Sequence, residues 1–243
     1  MLRAISLFSG AGGMDIGFQR AGFDTRLAVE IDPSCCDTLR HNMPNTVVVK
    51  ADIAELSGQE ICNLAGLNVG DVDCVYGGPP CQSFSLAGNR LGLGDARGQM
   101  VGHFVRLVRE IAPKSFVMEN VKGMLNWNSG EVLRFLEDSF SEPLEHPIGL
   151  VQYSVSHALL NAVDFGAPQR RERIFVVGNR LRKEMQFPQP SHGNVETLDK
   201  KLGLRPFTTV GDTLSELPKA DAPSDTALRV SGTISDRRIR HGY

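Results

Sequence analysis

The 243-residue sequence lacks the features that mark several special classes of protein. No apolar run reaches the length of a transmembrane helix, and the N-terminus lacks the basic and apolar regions of a signal peptide. Internal repeats and low-complexity tracts are also absent. A hydrophobic content of 41% with 22% charged residues is that of an ordinary globular protein. We therefore expect a cytoplasmic protein with one large domain, or one domain and a smaller piece.

The sequence also has no excess of charge of one sign. Its 26 lysines and arginines oppose 28 aspartates and glutamates, which gives a formal net charge of -2. This balance argues against a uniformly basic nucleic-acid-binding surface, but it allows local basic patches such as QRRER at 169–173 and DRRIRH at 236–241. The five cysteines include no CxxC pair, so we expect neither a metal site nor a disulfide framework. One reactive thiol and four structural cysteines explain the five residues better than a metal site or disulfides would.

Short β-rich runs alternate with amphipathic helical patterns up to about residue 180. This alternation predicts an α/β fold with a mostly parallel sheet and helices on both faces. We predict strands at 3–8, 25–30, 45–50, 71–76 and 115–120, helices at 14–21, from 33 onward and at 99–111, and a later strand pair around the APQRRER loop.

The composition changes near Arg180. Five prolines lie between Pro188 and Pro223, and only 209–217 has a helix-like pattern there. We therefore predict a first domain at 1–179 and a linker or partial second domain at 180–243.

A glycine-rich turn, SGAGG, follows the first predicted strand. Gly10, Gly12 and Gly13 would let a ligand approach the backbone closely, and the helix that follows offers free N–H donors. The spacing is neither GxGxxG nor GxxxxGK[ST], the usual patterns for phosphate-bearing nucleotides. The glycines taken alone indicate no more than a tight turn.

Two acidic residues follow the next two strands. The carboxylate of Glu30 could bridge two ribose hydroxyls, and Asp52 could accept a hydrogen bond from an exocyclic amine. Either residue alone would be interpreted as a helix cap. Three such features at successive strand ends favour a nucleoside ligand with little or no phosphate, in the crevice outside the carboxyl ends of the strands. S-adenosylmethionine fits that description.

The stretch GGPPCQSFS, at 77–85, follows the fourth strand. Two prolines stiffen the loop that carries Cys81, and the donors of Gln82 and Ser83 come directly after it. A thiolate is a strong nucleophile and needs a polar, partly exposed site. The other four cysteines are expected to be small buried hydrophobic residues.

Charged residues are predicted at two further strand ends. Glu119 ends the fifth strand beside the Cys81 loop, where a carboxyl could donate a proton, although a lone glutamate there is commonly a cap or an ion-pair member. Gln169, Arg171 and Arg173 alternate, so at strand spacing they would share one face. An arginine-rich turn is ordinarily a solvated surface, but this spacing before the apolar IFVV run favours a charged clamp.

The motifs FSGAGG, GPPCQSFS, ENV and QRRER stand in the order and spacing of the C5-cytosine DNA methyltransferases, and 1–178 resembles the catalytic domain of that family. The resemblance implies a Rossmann-like S-adenosylmethionine-dependent methyltransferase fold, with 1–179 as the catalytic and cofactor-binding domain. It implies methyl transfer to cytosine C5 in double-stranded DNA, with S-adenosylhomocysteine as the product of the cofactor, and a place in a restriction-modification system.

The resemblance also implies a role for each residue near the substrate. Cys81 would add to C6 of a flipped cytosine, and Glu119 would engage N3 and the exocyclic amine. Arg171 and Arg173 would support the base and the carboxylate, and Asn120 would help to hold the Cys81 loop. The segment 86–99 would be a mobile loop that closes over the base. The expected substrate-binding residues are Gln82, Ser83, Asn120 and Gln169.

On the cofactor side, the resemblance implies that Phe8 stacks on the adenine and that Glu30 holds the ribose. Asp52 would meet the adenine amine, with Ile53 and Pro79 beside the ring. The expected set is completed by Gly10, Gly12 and Gly13.

Two parts of the family pattern are not found: a target-recognition region and a final GNSV-like segment, which in the family completes the cofactor pocket. The region 180–243 resembles only the lead-in to them. A split enzyme, a truncated gene and an incomplete sequence each explain this. We favour the larger subunit of a split enzyme, with recognition on a complementary chain, because a truncated core would expose apolar surface. An RNA cytosine-5 methyltransferase and a non-catalytic binding subunit are the alternatives.

Overall fold

A computed structural model describes residues 1–80, 99–194, 203–215 and 217. Cys81, Gln82, Ser83 and the part of the expected mobile loop at 86–98 lie outside the described residues. The strands are β1 (Leu2–Leu7), β2 (Phe23–Glu30), β3 (Val47–Lys50), β4 (Cys74–Gly77), β5 (Ser115–Val121), β6 (Leu144–His146), β7 (Gly149–Val151), β8 (Ser154–Asn161), β9 (Glu172–Asn179), β10 (His192–Gly193) and β11 (Arg205–Pro206). The α-helices are α1 (Gly13–Arg20), α2 (Pro33–Asn42), α3 (Gly58–Ala65), α4 (Gln99–Ile111), α5 (Glu131–Ser141) and α6 (Val210–Leu214).

Seven strands form one sheet in the order β3-β2-β1-β4-β5-β9-β8. The five strands from β3 to β5 are parallel, whereas β9 is antiparallel to both β5 and β8. After β3 the chain crosses to the other side of β1, which opens a crevice at the carboxyl ends of β1 and β4. The predicted α/β fold with a mostly parallel sheet is confirmed.

Helices cover both faces of this sheet, as predicted. On one face, α1 and α2 pack over the first strands through small clusters around Tyr76 and Leu39. On the other face, α3, α4 and α5 contribute to a large core with Ile5, Phe116 and Ile174 of the sheet. The central strands β1 and β4 are therefore largely buried on both sides, which explains their apolar sequences, whereas the edge strand β3 stays partly exposed.

Local sequence explains where two helices begin. Pro33 is the first residue of α2, and the carboxylate of Asp32 caps that helix by accepting from Cys35 N–H. Ser57 and Glu60 form a capping box at the start of α3. No helix within the described residues combines the length and the hydropathy needed to cross a membrane.

Residues just beyond 179 contact the body of the sheet. The Arg180 guanidinium donates to the carbonyl groups of Ala112, Pro113 and Gly70, and Ser191 N–H donates to the Asp164 carbonyl. The predicted domain boundary between residues 179 and 180 therefore stays a prediction. Residues up to His192 still pack against the sheet and its loops. The helix-like pattern at 209–217 forms a shorter helix, α6, which Thr209 caps.

Candidate active site

The glycine-rich turn after β1 has the backbone that its sequence predicts. Phe8, Gly10 and Gly12 have φ values of 54°, 55° and 88°, in the left-handed region. A side chain on Gly12 would also approach the Leu39 side chain to 2.9 Å. Glycine is therefore required at position 12, and the strained backbone at Phe8 is of the kind that clusters at functional sites.

Glu30 fastens this turn to the end of β2. Its Oε2 accepts from Gly10 N–H at 2.7 Å, and its Oε1 accepts from Ile31 and Asp32 N–H, both at 2.9 Å. A carboxylate offers about four acceptor positions, and three are used here. Binding two ribose hydroxyls would therefore require one of these backbone bonds to be released. The role of Glu30 at a ribose stays a prediction.

Asp52 and Ile53 lie where the chain leaves β3. Asp52 Oδ1 accepts from Ala54 N–H at 2.9 Å and so caps a short 3₁₀ helix at Ile53–Glu55. The capping role considered above is thus realised, and the expected contact with an amine stays a prediction. Ile53 is 4% exposed and belongs to the main core.

The end of β4 is held closely by its neighbours. A Cβ on Gly77 would overlap the carbonyl oxygen of Leu7, and a Cβ on Gly78 would lie 3.2 Å from Glu119 Oε2. Asn120 is 3% exposed, and its side-chain amide donates to the Pro79 carbonyl at 3.1 Å. The backbone leading to Cys81 is thus bonded to β5, and the role of Asn120 in holding the Cys81 loop stays a prediction.

Glu119 forms the predicted charged cluster with two arginines. Its Oε1 lies 2.9 Å from Arg173 Nε and 3.8 Å from an Arg171 guanidinium nitrogen. The Glu119 and Arg173 side chains are about a fifth to a quarter exposed, whereas Arg171 is half exposed. The closer and less exposed pair should be the stronger one, because solvent screens exposed charges.

The predicted sharing of one face by Gln169, Arg171 and Arg173 is only partly correct. Strand β9 begins at Glu172, so Gln169 and Arg171 precede it and do not have strand spacing. Arg171 reaches the site from the loop, where its N–H donates to Asn161 Oδ1 at 2.9 Å. Gln169 is exposed and does not line the cavity described next.

One cavity of about 600 Å³ joins the two halves of the site. Five of the sequence-predicted residues line it: Phe8, Gly13, Glu119, Arg171 and Arg173. Among the described residues, eight other predicted ones do not line it: Gly10, Gly12, Glu30, Asp52, Ile53, Pro79, Asn120 and Gln169. The cavity therefore runs from the glycine-rich turn to the charged cluster.

Three of the four cysteines outside the Cys81 loop are buried, as expected for structural residues, and Cys35 is half-buried. Burial raises the pKa of the Cys62 thiol to about 11 and that of Cys74 to about 12. These thiols are neutral at physiological pH and are poor nucleophiles.

Asp15, in the first turn of α1, was not among the predicted site residues, yet it lines the cavity and is 0% exposed. An acid at this position is usually an exposed partner of the helix dipole. The sequence does contain an indication of burial, because Phe18 follows three residues later on the same helix face and packs against Tyr76.

The acidic residues around the turn fit a methyl donor better than a phosphate-bearing nucleotide. Glu30 bonds the turn itself, and Asp15 lines the cavity beside Gly13. These carboxylates would repel a phosphate and attract a sulfonium or an ammonium group. The order and directions of the strands, with a cavity at their carboxyl ends, are those of the S-adenosylmethionine-dependent methyltransferase fold class.

The family follows from comparison with known proteins. The family model for C-5 cytosine-specific DNA methylase matches residues 2–240, so the chain belongs to that family. It is 54% identical to the type II methyltransferase M.AquIA of Picosynechococcus sp., with 99% of each chain covered. It is 40% identical to the type II methyltransferase M1.HphI of Haemophilus parahaemolyticus over 93% of this chain and 56% of the relative.

Among solved structures, an Escherichia coli prophage protein assigned as a DNA modification methyltransferase superposes with a TM-score of 0.71 at 30% identity. The match covers 90% of this chain and 56% of that one. The chain thus spans nearly the whole length of M.AquIA and about half the length of the other two proteins.

Proposed function

We propose that this chain transfers a methyl group from S-adenosylmethionine to C5 of cytosine in double-stranded DNA, through a covalent bond between Cys81 and cytosine C6. One observation carries the proposal: Glu119, paired with Arg173, lies directly beside Gly78, three residues before Cys81. A thiol and an acid must reach the same ring for this reaction, and this arrangement supports that requirement.

The residues have complementary tasks in this proposal. Cytosine C5 is a poor nucleophile, so the Cys81 thiolate adds to C6 while Glu119 delivers a proton to N3, which makes the ring an enamine. The cofactor, when bound, would supply an electrophilic methyl group on its sulfonium for attack by C5. Loss of the C5 proton to a base then expels the Cys81 thiolate, and return of the N3 proton to Glu119 restores the neutral ring. The cytosine must leave the duplex first, at a cost of a few kcal/mol.

The two arginines orient the acid. Arg173, at 2.9 Å from Glu119 Oε1, fixes the carboxylate, and the more exposed Arg171 is available to the base or to the DNA backbone. On the cofactor side, Phe8 would face the adenine, Glu30 and Asp52 would accept from the nucleoside, and the glycine-rich turn would contact the amino-acid part.

Cys81→Ser tests the chemistry. A duplex containing 5-fluorocytosine cannot lose its C5 substituent as a proton, so with S-adenosylmethionine and the complementary chain proposed below the wild-type protein should form an adduct that survives denaturation. Cys81→Ser should form none, while its cofactor affinity, measured by calorimetry, stays within about twofold of wild type. Cys35→Ser, at a half-buried cysteine of α2, is the matched control and should trap DNA normally. Loss of cofactor binding in Cys81→Ser would show that the thiol is structural.

We also propose that a complementary protein chain supplies DNA recognition. The apolar side chains of Leu160, Phe165 and Phe175 line the same cavity as Glu119 and are only partly buried. A further segment packed against them would remove this apolar surface from water. Two of the related proteins, M1.HphI and the E. coli prophage protein, extend well beyond the part that this chain matches, which supports a need for additional sequence.

The chain alone should therefore bind the cofactor weakly and methylate no DNA, and the complementary chain should restore activity. Robust DNA methylation by purified 1–243 alone would overturn this part of the proposal. The same assays separate the alternatives. Methyl transfer to tRNA but not to duplex DNA would identify an RNA methyltransferase. Absence of trapping both with and without the complementary chain would identify a non-catalytic subunit.

A further inference from the structure

Asp15 is a buried carboxylate for which the reaction described above has no use. Its Oδ1 accepts from the Tyr76 hydroxyl at 3.0 Å. Its Oδ2 has no hydrogen-bond partner within the part of the chain that the structure describes, although the side chain is fully buried. The same residue lines the cavity together with Phe8 and Gly13. A residue that lines the cavity beside the glycine-rich turn thus has one carboxylate oxygen without a donor.

The carboxylate is also fixed in place. The Tyr76 hydroxyl that holds Oδ1 bonds in turn to Thr25 Oγ1 at 2.8 Å, and the Tyr76 ring stacks on Phe18 with centroids 3.7 Å apart. Oδ2 therefore cannot turn towards solvent without breaking this network. Burial raises the pKa of Asp15, and the hydroxyls of Ser6 and Tyr76 offset this only in part. A cationic ligand beside Oδ2 would remove the cost of ionising it.

We propose that Asp15 binds the ammonium group of the amino-acid part of the methyl donor. This inference rests on the proposed function, because it assumes that S-adenosylmethionine occupies the cavity. The nucleoside end is expected near Glu30 and Asp52, beyond the residues that line the cavity, and the reactive methyl group must face the base beside Glu119. The amino-acid part branches from the sulfonium, so it would extend between these two ends, where Gly13 and Asp15 line the cavity.

Neither DNA nor the nucleoside part of the cofactor suits Asp15 as well as the ammonium group does. DNA carries phosphates, which a buried carboxylate repels, so the nucleic acid is not the partner of Asp15. The ribose and adenine donors are neutral, whereas an ammonium offers three donors and a full positive charge. A charge-assisted hydrogen bond of this kind strengthens binding by roughly 10- to 100-fold.

The test compares two nucleosides by calorimetry on the full chain. S-adenosylhomocysteine carries the amino acid, and 5′-methylthioadenosine lacks it. Wild type should prefer S-adenosylhomocysteine, and Asp15→Asn should weaken that ligand about 10- to 100-fold while changing the affinity for 5′-methylthioadenosine by less than about twofold. An analogue of S-adenosylhomocysteine without its amino group should bind wild type and Asp15→Asn equally.

Tyr76→Phe is the control for a merely structural role. It keeps the ring stacked on Phe18 but removes the hydroxyl that holds Oδ1. If Asp15 only supports the fold, Asp15→Asn and Tyr76→Phe will weaken both nucleosides by similar factors, and the inference is wrong. Equal affinity of wild type for S-adenosylhomocysteine and its analogue without the amino group would also refute it, without any variant. If wild type binds neither nucleoside even with the complementary chain present, the proposed function fails as well.

Discussion

Asn120 offers a sharp test of how the loop of Cys81 is held. Its buried side chain lies at the carboxyl end of β5, donates to the Pro79 carbonyl at 3.1 Å and accepts from Val121 N–H at 2.8 Å. Pro79 stands two residues before Cys81. Replacing Asn120 by alanine removes both bonds and leaves the buried Pro79 carbonyl without this donor, while no charge is changed.

The size of the effect follows from these contacts. Two hydrogen bonds contribute about 0.5–1.5 kcal/mol each, and a buried carbonyl left unpaired costs about 1–3 kcal/mol. Asn120→Ala should therefore lower the free energy of unfolding by about 2–4 kcal/mol, which for a chain of this size lowers the melting temperature by roughly 5–15 °C. If the loop also shifts by about 1 Å, the rate of covalent adduct formation with 5-fluorocytosine DNA should fall about 100-fold.

Asn179 is the matched control. Asn179 is the last residue of β9 and, like Asn120, is 3% exposed. Its side chain also both donates and accepts: the amide donates to the Lys183 carbonyl, and Oδ1 accepts from Leu181 and Lys183 N–H. Asn179→Ala should lose similar stability but keep the rate of adduct formation, measured where both variants are folded and the complementary chain is present. Equal rates of adduct formation in the two variants at matched stability, whether fast or slow, would contradict a role of Asn120 in holding the loop of Cys81.

Two further predictions concern stability. Gly77→Ala should lower the free energy of unfolding, measured with denaturant, by about 3 kcal/mol, because the added Cβ would overlap a carbonyl oxygen of β1. The control Gly17→Ala, on the open face of α1, should raise it by about 0.5–1 kcal/mol. Equal effects of the two substitutions would contradict this prediction. Burial alone would raise the pKa of Asp73, but hydrogen bonds from Lys114 and from Arg3 N–H lower it below its usual value. The ionised Asp73 therefore stabilises the fold above about pH 4, and this stabilisation is lost as pH falls through its lower folded-state pKa. The free energy of unfolding should accordingly fall less steeply with decreasing pH in Asp73→Asn than in wild type.

Much of the sheet could be predicted because its strands are apolar runs bounded by polar residues. Helix α4 has the predicted bounds, and β1 to β5 lie within about three residues of them. Helices α3 and α5 and the hairpin β6–β7 lie outside the predicted elements. The hairpin strands have three residues each, which is too short for a periodic pattern to indicate a strand.

Contacts in the site could be predicted where they depend only on which residue stands at the end of a strand. Glu119 and Arg173 do meet, and Asn120 does bond the turn before Cys81. The sequence could not indicate that three backbone N–H groups already occupy Glu30, because that depends on how the turn after β1 folds back on β2. The burial of Asp15 likewise depends on packing between α1 and β4, which the local pattern only suggests.

The direction of β9 explains why the arginines can serve this site at all. Functional groups gather at the carboxyl edge of a parallel sheet, and a parallel β9 would bring its first residue, Glu172, to the opposite edge. Because β9 is antiparallel, Arg173 stands opposite Val121, at the end of β5, and diagonally across from Glu119 on the same face of the sheet. The loop before β9 then places Arg171 beside the same carboxylate. The reversal of one strand thus makes an arginine-rich turn, ordinarily a solvated surface, a partner of Glu119.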